Sequence, residues 1–448
     1  MTVKVAVIGA GPAGLAAASR IKKLRPDYHV VVFEKTRWAS FALCGTPYYI
    51  GGLIDKPEKL MHYPPRFFIE KRGIDLRLNH RVIYIDSDKK ILEYEGPSGT
   101  GRYEWDVLLI ASGARADLPD VPGIDLQGVY KLHHIDDAVL LREKIEGENV
   151  KDIVIIGSGY IGLELAENLQ RIGKRVIIST RSKYPLSKLL DPDMGEKLAD
   201  ILREKGLVIN YDESLEEIKR KNDRLEVVTS KNTYTADAVI VATGIKPNTE
   251  IAEALGLRTG SSGAIIVDSM MKTSRPDIYA AGDNVEVKHV VTDKYTWAPF
   301  AQEANKEGYV AGSNIAGKTI LFPGVAGTSV TSVKGVVIAG TGLTMKEAYR
   351  HGFKPIAAYV EARTKPAYMP GSGKVLLKVI ADKKTGLLLG AQAIGGEDAY
   401  WRINVVAALL HKRGVVEDLF FTDLGYAPPV NTVWDALVIA GRILLRNW

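Results

Sequence analysis

The sequence predicts an α/β fold in which one strand–turn–helix unit is carried inside the chain of a second, related unit, with an α+β domain after both. Three observations predict it. VKVAVIGAGPAGLAAASRI at residues 3–21 is matched by KDIVIIGSGYIGLELAENL at residues 151–169. A second pair of runs, DVLLIASGA at 106–114 and DAVIVATGI at 237–245, follows each copy in turn. From Ala326 onward the glycine motif does not recur and the composition changes.

Composition bounds what the chain can do. Its 448 residues suggest two to four domains at about 100–200 residues each. With 46% hydrophobic and 25% charged residues, it is an ordinary globular chain with ample material for a core. The net charge of +6 is spread without a run of five basic residues, which suits anionic small ligands and argues against nucleic acid. One cysteine excludes an internal disulfide, so an intracellular, cytoplasmic protein is expected. Residues 1–10 run straight into a strand pattern with no signal-peptide character, and no stretch of 18 apolar residues suggests a membrane span. The eight histidines show no metal-ligand spacing, and adjacent His133 and His134 point apart on any regular element, so no metal is expected.

The elements follow in order. The first copy is a β-branched apolar run, then G-x-G-x-x-G (Gly9, Gly11, Pro12, Ala13, Gly14), then a helical pattern. The first glycine allows the turn, the second admits a pyrophosphate to the backbone, and the third lets the helix pack on the strand. Free N–H groups and the helix dipole hold the phosphates. The strand HVVVFEK at 29–35 ends at Glu34, an acid suited to a ribose, followed by Lys35. SFALCGTPYYIGG at 40–52 carries Cys44, and a helix beginning near it is expected to lower the thiol pKa. The run 106–114 ends in a small-residue turn at Ser112–Gly113, and Pro119, Pro122 and Gly123 mark a crossing into the second copy.

In that copy the glycines are Gly157, Gly159 and Gly162, with Tyr160 and Ile161 between the last two. Its following strand, RVIISTR at 175–181, has Thr180 where the first copy has Glu34, then Arg181 and, further on, Lys183. Loss of the acid beside two cations favours a 2′-phosphate, hence NADPH, or acceptance of both nucleotides. The run 237–245 turns at Gly244. Residues 374–395 read as a β-hairpin with a Lys-Thr-Gly turn, and 397–412 as a helix closed by Gly414. The whole reads as two Rossmann-like dinucleotide-binding domains, one inserted in the other, plus a C-terminal α+β domain.

With these motifs the chain resembles the pyridine nucleotide-disulfide oxidoreductase family over essentially its full length. The resemblance implies that the first fingerprint binds FAD and the second NADPH or NADH. It implies that Asp283, in TSRPDIYAAGDN at 273–284, contacts the ribityl or phosphate part of FAD. By the same resemblance Tyr160 covers the flavin until nicotinamide arrives, and Glu164 is the helix acid beside it. Most of the family uses C-x4-C. Here the motif resembles S-x3-C-G-x-P-Y-x3-G of the single-cysteine branch, coenzyme A-disulfide reductases and NADH oxidases and peroxidases, with Cys44 as the redox thiol.

Within that branch, oxidases and peroxidases usually carry a histidine where this chain has Pro12, which offers no acid or base. FTDLGYAPPVNTVWD at 421–435 resembles the coenzyme A-disulfide reductase pattern, in which Tyr426 reaches the partner subunit's cysteine, and Tyr368 in KPAYMPG falls at the second expected position. These tyrosines are expected to be catalytic. Arg20, Lys22, Lys23 and Arg25, and Arg66, Lys71 and Arg72, are basic clusters suited to coenzyme A phosphates. Arg20, Lys23, Ser40 and Lys71 are the expected substrate contacts. Leu43 stands where related enzymes have asparagine.

The expected domains are FAD at 1–117 and 244–325, NAD(P)H at 118–243, and a dimerisation domain at 326–448, giving a homodimer. The expected function is NAD(P)H-dependent reduction of coenzyme A disulfide, with sulfur or polysulfide also reduced, as in archaeal members that use coenzyme A as carrier. The alternatives are an NAD(P)H oxidase cycling a Cys44 sulfenic acid and a non-catalytic flavoprotein redox partner.

Overall fold

The computed structural model describes residues 2–146 and 149–447. Lys4–Ile8 is a strand of β-branched residues buried after the first, which suits a parallel sheet covered on both faces. It pairs with His29–Glu34 on one side and Val107–Ile110 on the other. Asp75–Leu78 and Ile278–Ala280 complete a five-stranded parallel sheet. The second glycine copy repeats this plan. Asp152–Ile156 lies between Arg175–Ser179 and Ala238–Val241, with Val208–Asn210 and Val129–Lys131 outermost.

Ile278–Ala280 returns to the first sheet only after the second is finished, so the second unit is an insertion in the first. The two crossings lie side by side, Ala114–Ala116 pairing antiparallel with Ile245–Pro247. Each unit also carries a three-stranded antiparallel meander, 81–104 in the first and 215–236 in the second, which the sequence patterns had not singled out.

Both glycine turns are dictated by close approach. Gly9 has φ +107°, and a Cβ there would lie 2.2 Å from the Ala111 carbonyl oxygen. Gly157, φ +114°, would meet Ala242 O at 2.4 Å. The helices Pro12–Leu24 and Tyr160–Arg171 each begin three residues later, the first with proline at a position that needs no N–H.

The C-terminal region is a five-stranded antiparallel sheet, in order Ser329–Val333, Val336–Gly342, Leu388–Gly395, Lys374–Asp382 and Pro355–Arg363, covered by Ala399–His411 and Ala436–Asn447. The expected hairpin and helix are both present, the helix two residues shorter at its start. Among the described residues no helix is long and apolar enough to cross a membrane.

Candidate active site

One cleft of about 1510 Å³ holds Gly9, Gly11, Pro12, Ala13, Glu34, Lys35, Ser112, Gly113 and Asp283 with Gly157, Gly159, Tyr160, Ile161, Glu164, Thr180, Arg181 and Gly244. Cys44 lies in the same cleft. Gly14 and Gly162 do not line this cleft: each packs helix on turn, where a Cβ would meet the Gly9 or Gly157 carbonyl at 2.0 or 2.1 Å. At Gly11 a Cβ would meet nothing nearer than 3.8 Å, and at Gly159 nothing within 4 Å, so both helix N-termini open onto the cleft. That arrangement suits two dinucleotide pyrophosphates.

Glu34 ends its strand buried, accepting from Ala10 N at 2.9 Å and from the Thr36 amide and hydroxyl. Asp283 receives no hydrogen bond or ion pair on its carboxylate from the described residues, and burial pushes it up to about 6. Such an unpartnered, half-buried acid at the cleft wall fits a hydroxyl-bearing FAD chain. Beneath it lies Glu307, which sequence reasoning missed. It accepts from Gly282 N at 2.7 Å, and burial pushes it up to about 8. Its helix, Ala301–Ile315, lies against Pro12–Leu24 because Gly308 has no side chain: a Cβ there would be 2.2 Å from Ala13 O. An acid among Ala304, Gly308 and Ala311 was the available signal.

The cysteine segment forms a short 3-10 turn, Leu43–Gly45, and then the helix Thr46–Ile50. Its core is borrowed. Trp38, Tyr49, Ile50 and Leu60 pack with residues of the second unit's sheet and helices, and Trp38 Nε1 donates to Asp136 at 2.7 Å. Cys44 as a residue is exposed. The expected lowering of its thiol pKa is overturned. Partial loss of hydration at the cleft wall pushes the thiol up, and the carboxylates of Glu164 and Asp283 add to it. One turn of 3-10 and five residues of α-helix supply too little dipole to offset them.

Glu164 faces the cleft rather than solvent. It accepts from Thr331 Oγ1 at 2.6 Å, and burial pushes its carboxyl up. The Tyr160 phenol lies 2.6 Å from Ser329 Oγ. At the far end Thr180 is buried and Arg181 is exposed along the cleft wall. Lys183, the second expected cation, is outside the cleft, and Lys188 lines it instead. The nearby acid Glu213 is occupied by Ser179 Oγ at 3.0 Å, Tyr234 OH at 2.6 Å and Asn232. His133 and His134 both line the cleft, on a bend rather than a regular element. His134 caps Ile135–Ile145, and burial pushes His133 down.

The other expected contacts are not gathered here. Arg20 and Lys23 line a separate pocket with Arg72 and Lys306. Arg20 donates to Ser313 Oγ at 2.9 Å and stacks over Tyr309 at 4.3 Å. Ser40 lines neither pocket. Its backbone, φ +53°, bonds Ala10 O and receives His62 N. Lys71, at the end of Phe67–Lys71, lines neither. Tyr368 and Tyr426 are exposed side by side on the C-terminal domain and do not line this chain's own Cys44 cleft.

The model of the pyridine nucleotide-disulphide oxidoreductase family matches residues 3–308, and that of the family's dimerisation domain matches residues 328–437. The chain is 48% identical over 445 residues, 98% of its length and 98% of the relative's, to an NAD(P)H sulfur oxidoreductase (CoA-dependent) of Pyrococcus abyssi. It is 46% identical over 448 residues, 99% of each chain, to an NAD(P)H coenzyme A polysulfide/persulfide reductase of Pyrococcus horikoshii. A solved NAD-dependent persulfide reductase from A. fulgidus is similar with a TM-score of 0.96 and 34% identity, covering 99% of this chain and 83% of that one.

Proposed function

We propose a specific substrate for this chain, which belongs to the pyridine nucleotide-disulphide oxidoreductase family and is an oxidoreductase using FAD and NAD(P)H with coenzyme A. It reduces coenzyme A disulfide, and coenzyme A persulfide or polysulfide, through Cys44. The observation that carries this is the chain's one thiol, exposed in the cleft that also holds both glycine turns. FAD, when bound, accepts a hydride from NAD(P)H and supplies two electrons to a sulfur.

Cys44 does the rest. Its thiolate attacks one sulfur of coenzyme A disulfide. The Cys44–coenzyme A disulfide forms, the substrate's S–S bond breaks, and the departing coenzyme A thiolate takes a proton. When two electrons reach the mixed disulfide, Cys44 is freed as thiolate and the second coenzyme A leaves as thiol after protonation. One NAD(P)H and one proton thus become NAD(P)+ while one disulfide becomes two thiols. A persulfide balances in the same way, with hydrogen sulfide as the second product.

Glu34, Asp283 and the first glycine turn would hold FAD. Gly157, Gly159, Arg181 and Lys188 would hold NAD(P)H, the two cations favouring a 2′-phosphate over a ribose hydroxyl. Tyr426 and Tyr368 act across a homodimer, protonating coenzyme A in the partner's cleft. The exposed Phe421, Val430, Val433 and Trp434 around Tyr426 support a covered face there. The domain limits proposed are 1–117 with 244–325, 118–243 and 326–448.

The test is anaerobic. Wild type is expected to oxidise NAD(P)H with coenzyme A disulfide, and Cys44→Ser to keep FAD while losing at least about a hundredfold in that turnover, the scale of a lost covalent nucleophile. Intact mass under non-reducing conditions is expected to show a coenzyme A increment on wild type only. NAD(P)H oxidation that requires oxygen, or full turnover in Cys44→Ser, overturns the proposal.

A further inference from the structure

Two hydrogen bonds run side by side from the helix Tyr160–Arg171 to the C-terminal strand Ser329–Val333. The Tyr160 phenol is 2.6 Å from Ser329 Oγ, and Thr331 Oγ1 donates to Glu164 Oε1 at 2.6 Å. The spacings match. Four helix residues, a rise of about 6 Å, separate Tyr160 from Glu164, and two strand residues, about 6.8 Å, separate Ser329 from Thr331. Ser329 and Thr331 are buried while Val330 between them is exposed, so both hydroxyls sit on the inner face of an alternating strand. Tyr160 directly follows Gly159 and lines the cleft that holds Cys44 and Asp283. A nicotinamide held at the second glycine turn and reaching through this cleft toward Cys44 would have to pass this phenol.

Rotation of the second unit is not free to clear the way. Asp191, which precedes the helix Pro192–Glu204, is buried against the C-terminal sheet. Its carboxylate accepts from Lys378 at 3.0 Å, Gln392 at 2.9 Å and Met345 N at 3.0 Å, and Lys378 also reaches Asp193 at 2.7 Å. Admission therefore falls to a side chain.

We propose that Ser329 is a positioning residue for nicotinamide entry: it latches the Tyr160 phenol across the nicotinamide path, while Thr331 keeps Glu164 in place as the phenol swings aside. The inference rests on the NAD(P)H-dependent reading above. Each nicotinamide admitted breaks one Tyr160–Ser329 bond, so the latch weakens nucleotide binding and leaves the sulfur chemistry untouched.

The test is calorimetric titration of the FAD-loaded protein with NADP+ and, in parallel, NAD+, for wild type, Ser329→Ala, Ser329→Thr, Tyr160→Phe and the Ser329→Ala/Tyr160→Phe double variant. Ser329→Ala and Tyr160→Phe are each expected to bind roughly threefold to tenfold tighter, the factor for releasing one neutral hydrogen bond. The double variant is expected to match the singles, since both remove the same bond. Ser329→Thr, which keeps the hydroxyl, is expected to stay within about twofold of wild type, and KM for the nucleotide to shift with Kd. Affinity in Ser329→Ala equal to or below wild type, or singles that add in the double, overturns the latch alone. Wild type that binds neither nucleotide overturns the NAD(P)H reading and the latch with it.

Discussion

Cys44 is exposed enough to meet a disulfide, yet its thiol is pushed up by lost hydration and by the carboxylates of Glu164 and Asp283. Charge near the sulfur therefore controls reactivity, because only the thiolate attacks. Glu164→Gln removes one negative charge, so the Cys44 pKa is expected to fall and iodoacetamide alkylation at pH 7 to speed up about twofold to tenfold. An unchanged rate–pH profile would remove Glu164 from the thiol's surroundings. Glu307 belongs to the same scale. Burial raises its pKa to about 8, so the folded protein keeps a proton that the unfolded chain releases near 4.3. Its contribution to stability is complete below that lower value and is lost as pH rises to about 8. Thermal denaturation between pH 5 and 8 is expected to show a steeper decline in wild type than in Glu307→Gln. Parallel declines would mean that Glu307 is ionised throughout.

At the scale of elements, the five-residue helix Thr46–Ile50 is too short to stand alone. Arginines from the second unit hold its end. Arg142 Nη1 donates to the Tyr49, Ile54 and Asp55 carbonyls at 3.0–3.2 Å, and its guanidinium lies over the Tyr49 ring. Arg171 donates to Gly51 O at 2.7 Å. Tyr49 and Gly51 lie at the helix end, where carbonyls lack intrahelical partners, and Ile54 and Asp55 lie in the turn that follows. Arg142→Ala is expected to cost about 1–3 kcal/mol and to raise amide exchange in residues 46–55. Exchange no faster than in wild type would show that apolar packing alone orders the segment.

At the scale of the molecule, the cysteine segment is covalently part of the first unit, packed on the second, and the second is tied to the C-terminal sheet by Asp191 and Lys378. Lys378 is 8% exposed and Asp191 3%, so removing one partner strands a buried charge. Lys378→Met is expected to destabilise the protein by about 3–5 kcal/mol, read from chemical denaturation. A loss below about 1 kcal/mol would show that water reaches Asp191 and the tie is weak.

The sequence alone determined both nucleotide units, their insertion and the lone thiol. Gly9, Gly157 and their matching strands obey local rules of turn geometry and alternation, which a single stretch of chain displays. The Lys188 position, the inward face of Glu164, the buried Glu307 and the raised Cys44 thiol were decided by tertiary structure only. Each depends on groups more than 20 residues away in the chain or on how much water a fold leaves around a charge. Helical spacing leaves Glu164 free to face either way, and Thr331, 167 residues on, is what draws it inward. Burial and long-range charge have no signature in a linear string, because desolvation is a property of the closed cleft.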